Sequence, residues 1–426
     1  MNNTDIIALL RKEMVQALGV TEPAAIALAC SSAYAGVTGD IETIELGMDP
    51  GMFKNAFSCA VPGTGDMGIE IAALLGVLGG NPDLGLEVLR DITKAQICKA
   101  KELRDREVVK VQVEYGLCEA DLHLEALVHT TKGTGKAVIS GAHANIVRTE
   151  VNGRVTFEKL DADRQDEAFD ITQYKVEDFV GFVENVSFSQ IEFLLRAIEV
   201  NRELIQAGLG GAGMRLGQGM QSLVVAGAIG DDLRSYAEIR TACAVDARMG
   251  GLPLPAMSIC GSGDHGIIAT VPLLAIAERK KLGEERLARA IALSYLITIY
   301  IKSFSGRLSA FCGCAVAAGA GACAGITSML GGNLPQIESA IGNMAANLTG
   351  IICDGGNYGC SLKAVNGVGA AVLSSLLAIE GVAIPNRSGI VGETIEETMQ
   401  NMGSIASPGM RKTNDTIIAI MRRKRG

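Results

Sequence analysis

The chain contains no tryptophan, and aromatic residues make up only 4% of its 426 positions. A core built from aromatic bulk is therefore excluded. With 48% apolar residues and 52 glycines, the interior has to be assembled from small side chains on closely approaching helices. A basic face is also lacking. Asp and Glu (47) outnumber Lys and Arg (38), for a net charge of -9, which argues against a surface that neutralises nucleic-acid phosphates. The basic run RRKRG at the C-terminus reads as a solvated tail. The opening segment MNNTDIIALLRKEMVQALG carries Asp5, Arg11, Lys12 and Glu13 inside its apolar pattern, so it has no signal-peptide core. Also missing are a C-x-x-C redox pair, a Gly-Lys-Ser/Thr phosphate loop and the close ligand pairs of a zinc site. The eleven cysteines are odd in number and scattered. They read as reduced thiols of a cytoplasmic protein, mostly small core residues.

The length suffices for two or three domains. Ile6, Leu9, Leu10, Met14 and Leu18 recur at helical spacing, with Gly19 able to end the helix. TEPAAIALACSSAYAG predicts a second helix, with Pro23 at its first position and Gly36 beyond its end. IETIELGMD alternates as a strand does. Helical periodicity returns over 69–104. Residues 108–160 are β-branched, alternating and broken by glycine or charged turns, which predicts an antiparallel sheet joined by the strand near 41–47. Residues 162–176 are acidic and irregular, a linker candidate. The fold class expected is α+β, a predominantly helical body with an inserted small antiparallel sheet. Its parts are 1–40 and 61–105 of the body, the strand segment 41–60, the β-rich insert 106–176 and the helical remainder 177–426. Residues 308–337 carry no charge and are long enough to cross a bilayer, but their Ala, Gly, Ser, Cys and Thr content fits a buried helix better.

Two loops share a pattern. VPGTGDMGIEIAALLG (61–76) and ICGSGDHGIIATVPLLA (259–275) both read G-[TS]-G-D-x-G-I before an apolar helix. Glycines there allow either an anion cradle, around Thr64 and Gly65 or Ser262 and Gly263, or simply tight turns. Cys312 and Cys314 form CGC; on a helix, residues two apart face nearly opposite ways. Cys353 and Cys360 bracket DGGNYG, whose glycine pair predicts a fold-back that brings the sulfurs together. Core filling and a cluster held by three thiolates both remain open from the residues alone.

GVTEPAAIALA, VPGTGDMG, GAHANIV, RTACAVDARMGGLPLPAMS, GSGDHGI, RLSAFC and ICDGG followed by CSLK occur in this order. Together they resemble the L-cysteine desulfidase family, relatives of the iron–sulfur serine dehydratase alpha domain, over almost the whole chain. The resemblance implies a cytoplasmic enzyme that uses a [4Fe-4S] cluster to convert L-cysteine to pyruvate, ammonia and sulfide. It implies Cys312 and Cys353 as cluster ligands, with Cys360 as the third in the serine dehydratase manner. One position departs: the family reads G-C-T-E-P, its cysteine implicated as a ligand, where this chain has Val20. Cys30 is a poor substitute, more than about 10 Å along the helix. Without a third thiolate, the chain is a non-catalytic relative.

The remaining roles are assigned from residue type. His143 and His265, in motif-like loops, are the acid–base candidates, each weighed against an ordinary structural histidine. Glu22 is either a helix-capping acid or a site residue. Arg307 is placed to grip a substrate carboxylate. Asp246 and Arg248 are expected either to pair with each other or to order the site. Lys363 lacks the phosphate loop that pyridoxal phosphate requires. The expected partner is the small amino-acid substrate, with neither nucleic acid nor membrane involved; a homo-oligomer is left open.

Overall fold

The computed structural model describes residues 3–114, 122–159 and 169–424. It is α+β, a helical body against which one six-stranded sheet packs.

The N-terminal segment corrects the first expectation. Helix α1 covers Asn3–Glu13, burying Ile6 and Leu10, and stops there. Val15–Leu18 is instead a strand, β1, paired antiparallel with Pro255–Ser258 far along the chain. Tertiary pairing overrides the helical spacing of Met14 and Leu18. Helix α2, Thr21–Ala35, begins two residues before Pro23, which therefore sits in its first turn where no N–H is needed. Twelve of its fifteen residues are buried, which only small side chains permit. Helix α3 is Pro50–Ala56 and α4 is Ile69–Gly79. At the α2–α4 crossing a Cβ on Gly76 would lie 2.4 Å from the Ala27 carbonyl oxygen, so no other residue fits. The same close approach recurs deeper in the body, where Gly321 meets Ser294.

The sheet combines β2 (Ile41–Met48), β5 (Val109–Val113), β6 (His123–Thr130), β7 (Gly133–Ser140), β8 (Ile146–Val151) and β9 (Arg154–Glu158) in the order β5-β2-β6-β7-β8-β9. A short hairpin, β3 (Ala60–Val61) and β4 (Asp66–Met67), precedes α4. Alternation places Ile44, Leu46 and Met48 of β2 beside Val128, Ala126 and Leu124 of β6, all of them buried. Each such side chain contributes about 1.5–3 kcal/mol. The sheet is mixed rather than wholly antiparallel, because β2 and β5 run parallel. Between them lie α3, the hairpin, α4 and α5 (Lys94–Asp105), a crossover long enough to return the chain in the same direction. The pattern of strands could not reveal that return.

Within the body, residues 308–337 do not form one helix, contrary to expectation. They comprise an extended loop, a wide turn at Cys314–Ala318, the helix Gly319–Met329 and the start of the helix Leu334–Leu348. Two other helices, Glu284–Ser305 and Gly359–Ile379, are long and apolar enough to span a membrane, and both are mostly buried in the body. The described end of the linker candidate, 169–176, is packed, with Ile171 and Val176 in the core; residues 160–168 lie outside the described residues.

Candidate active site

The site is built on two extended segments that meet. Phe311 bridges Ile352; the Cys312 amide donates to the Ile351 carbonyl (2.7 Å) and the Cys353 amide to that of Ala310 (2.8 Å). In an antiparallel bridge this register turns Cys312 and Cys353 to the same face as diagonal neighbours. The chain then folds back at Asp354-Gly355-Gly356, with Gly355 at φ 87°. Asn357 accepts the Gly359 amide at 2.7 Å, and the helix Gly359–Ile379 places Cys360 in its first turn. The Cys360 thiol points back to the Gly355 carbonyl at 3.5 Å.

Cys312 does not lie on a helix with Cys314, so the opposite-faces argument does not apply. The two thiols touch. The hydrogen bond from Cys314 pulls Cys312 down to about 7, against its burial, and pushes Cys314 up. Cys314, Cys353 and Cys360 line one cavity with Val20, Glu22, Asn55, His143, Arg248, Ser262, Asp264, His265 and Arg307. Cys312 is not itself among the lining residues but adjoins two of them in sequence, Gly313 and Cys314. Gly263 opens the helix Gly263–Lys280 between lining residues Ser262 and Asp264. Thr64 and Gly65 are elsewhere, in the β3–β4 turn, where the Thr64 hydroxyl donates to the Val61 carbonyl at 2.7 Å.

Electrostatically the cavity is divided. Burial acts to raise Glu22, yet His143, with Nε2 3.5 Å from Oε1, and the Asn55 amide at 2.9 Å hold it at about 2, ionised. His265 is opposite in character. Burial first, and then the charge of Lys302, push it down to about 3, so its ring is neutral. Lys302, lowered to about 8 by burial, donates to the Ser309 hydroxyl (3.0 Å), and buried Lys54 donates to the Ser309 carbonyl (3.1 Å). These lysines fix the Arg307–Cys312 loop from beneath. Arg307 itself reaches Glu13 at 3.0 Å. Arg248 does not pair with Asp246. Its guanidinium binds Asp264 at 2.6 Å and the Gly19 carbonyl at 2.8 Å, whereas Asp246 accepts from the Leu216 amide and Ser361.

Among the described residues, nine buried side-chain nitrogen or oxygen atoms lack a hydrogen-bond partner. Five of them belong to residues lining this cavity: Thr21 Oγ1, His143 Nδ1, His143 Nε2 (which has only its long ion-pair contact with Glu22), Arg248 Nε and His265 Nδ1. Buried polar groups are normally paired, so their concentration at one place marks where a ligand is received. No three His, Cys, Asp or Glu side chains among the described residues are arranged around a single metal ion. A cluster differs, because each thiolate binds a separate iron, and a wall of thiols is the donor set it takes. The donors fit a cluster and not a lone ion.

Sequence reasoning missed Asn55, Asp264, Lys54, Lys302 and Cys59. A lone lysine inside an apolar run, as in SYLITIYIKSF, was the available signal for Lys302. The others become visible only when α3 and the Gly263–Lys280 helix are brought together.

The chain is similar to known proteins along most of its length. Residues 83–419 match the family described as serine dehydratase alpha chain. The chain is 49% identical to a UPF0597 protein of Clostridium botulinum over 99% of both chains. It is 39% identical to one from Aeromonas salmonicida, covering 99% of this chain and 96% of that one, and 37% identical to one from Clostridium tetani, covering 98% and 97%. A chain whose thiols, imidazoles and guanidinium groups converge on one cavity, and whose sequence matches over these spans, belongs to the serine dehydratase alpha chain family.

Proposed function

We propose that the protein is a cytoplasmic iron–sulfur lyase that converts L-cysteine to pyruvate, ammonia and sulfide. The observation that carries this reading is the cavity where Cys314, Cys353 and Cys360 come together with buried polar atoms of Thr21, His143, Arg248 and His265 that have no hydrogen-bond partner. Free thiols throughout the described residues accord with a reducing compartment. Cys312 and Cys353, turned to one face, would hold a [4Fe-4S] cluster, with Cys360, in the first turn of the helix after the fold-back, as the candidate for the third thiolate. When bound, the cluster supplies a Lewis-acidic iron that makes the β-substituent a better leaving group.

The chain's own residues divide the rest of the task. His143 is the base for the Cα proton, because the Glu22 carboxylate beside it stabilises positive charge on the ring. His265 is held neutral and serves as a hydrogen-bonding partner rather than as the base. Arg307, on the cavity rim and partly open to solvent, binds the substrate carboxylate. The Arg248–Asp264 pair holds α2 to the Gly263–Lys280 helix and positions Glu22. Loss of the Cα proton and of the β-sulfur with its bonding electrons leaves 2-aminoacrylate, which water converts to pyruvate and ammonia.

A second reading, L-serine as substrate with water as the leaving group, is favoured by the family match. Anaerobically purified protein separates the cases. Iron and acid-labile sulfide together with sulfide release from L-cysteine support the first reading, while pyruvate from L-serine without comparable sulfide release supports the second. A protein that stays iron-free after reconstitution refutes both and leaves a binding role. Cys353→Ser is expected to abolish the visible absorbance of the cluster.

A further inference from the structure

Cys59, a thiol beside this site, has been given no role so far. It follows α3, is 1% exposed, and lies against the fold-back loop that carries Cys353 and Cys360. Its sulfur contacts the Asn55 carbonyl at 2.6 Å and the Gly356 carbonyl at 3.3 Å. Asn55 ties it to the site: the Asn55 side-chain oxygen faces the Cys353 thiol at 3.8 Å, and its amide holds Glu22.

Gly356 locates the contact. A Cβ built there would lie 2.4 Å from the Cys59 sulfur and 3.1 Å from a Val20 methyl. Cys59 and Val20 therefore meet at the same point, one on each side of a residue that has no side chain. Val20 and Gly356 both line the cavity. The Cys59 sulfur thus lies one glycine away from the cavity wall. Cys360, by contrast, belongs to the same fold-back as Cys353. Cys59 approaches from the α3 side instead.

We propose that Cys59, rather than Cys360, is the third thiolate ligand of the cluster beside Cys312 and Cys353, supplied from the place where Val20 presents only methyl groups, which would leave one iron open for substrate. The inference rests on the cluster reading above. The thiol gives up its proton on binding iron, as cysteine ligands do, and no electron transfer is involved.

The test uses full-length protein reconstituted anaerobically with iron and sulfide, read by iron content and visible absorbance. Thermal unfolding of each unreconstituted variant serves as the check on folding. Cys59→Ser and Cys59→Val are expected to lose the cluster. The swap Val20→Cys with Cys59→Val, which keeps the pair's composition, is expected to regain it. Wild-type iron content in either single variant overturns the proposal while leaving the cluster reading intact. Loss in Cys59→Val without recovery in the swap also overturns it, because the loss then comes from packing. A wild-type protein that takes up no iron overturns the cluster reading and this inference together.

Discussion

The two G-[TS]-G-D-x-G-I loops start alike and end differently. In both the first glycine is left-handed, Gly63 at φ 72° and Gly261 at φ 75°. After that they part. Around Thr64 the chain closes the β3–β4 hairpin: the hydroxyl donates to the Val61 carbonyl and accepts from the Asp66 amide, Gly65 and Gly68 keep positive φ, and α4 starts only at Ile69. Around Ser262 the helix starts at once, with the hydroxyl 3.5 Å from the His265 amide as its cap. There Gly266 is needed for space rather than for its torsion, since a Cβ would fall 1.8 Å from the Met257 carbonyl oxygen. The aspartates differ most. Asp264 is buried against Arg248, while Asp66 lies at the surface with Arg104 in close contact and Lys101 at 3.9 Å. The motif encodes a turn, and the partner that packs on it decides whether the turn becomes part of a site.

The comparison breaks most visibly if the two aspartates prove equivalent. Asp264→Asn leaves Arg248 buried and uncompensated, and removing one partner of such a pair costs about 3–5 kcal/mol. A urea midpoint shifted far below wild type, without a change in slope, is the expected result.

How much of this was legible follows from the same contrast. The helix at 21–35 announced itself through Pro23 and Gly36 at its ends, and the strand at 41–48 and the β-rich segment through alternation, all local properties. So did the cysteines of RLSAFC and ICDGG, because their motifs are contiguous. What was not legible depends on contacts between distant segments. Val15–Leu18 is a strand because Pro255–Ser258 pairs with it. Arg248 ignores Asp246, two residues away, for Asp264 on another helix. Thr64 and Gly65 share the letters of Ser262 and Gly263 but not their surroundings. Cys59 carries no motif, and only its approach to Gly356 and Val20 brings it to notice.

A middle-sized effect concerns pH, and it belongs to one loop alone. His265, ordinarily near 6.5, is held at about 3, whereas the other loop has Met67 in its place. Between these values the unfolded chain carries a proton that the folded chain does not, so stability falls as pH drops from 6.5 toward 3. Glu22, held at about 2, acts with the same sign below pH 4.5. His265→Gln is expected to make the stability profile shallower by about 1.4 kcal/mol per pH unit in that range, or about 2 kcal/mol by pH 5. Denaturant midpoints measured from pH 7 to pH 4 check this. An unchanged slope would mean that His265 is solvated.

The smallest effect is the most discriminating. Asp66 faces two cations, Arg104 and Lys101, and by counting charge contacts it should matter more than Asp264, which faces one. Burial argues the reverse. The Asp66, Arg104 and Lys101 side chains are 21%, 36% and 40% exposed, so water and salt screen them, and such pairs contribute about 0–1 kcal/mol. Asp66→Asn is therefore expected to lower stability by less than about 1 kcal/mol, and by still less in high salt. The turn itself survives, because the Thr64 hydroxyl accepts from the backbone amide of residue 66, not from its carboxylate. A loss as large as that of Asp264→Asn, insensitive to salt, would show that the hairpin loop carries a buried electrostatic role of its own, and the two loops would then be alike in more than sequence.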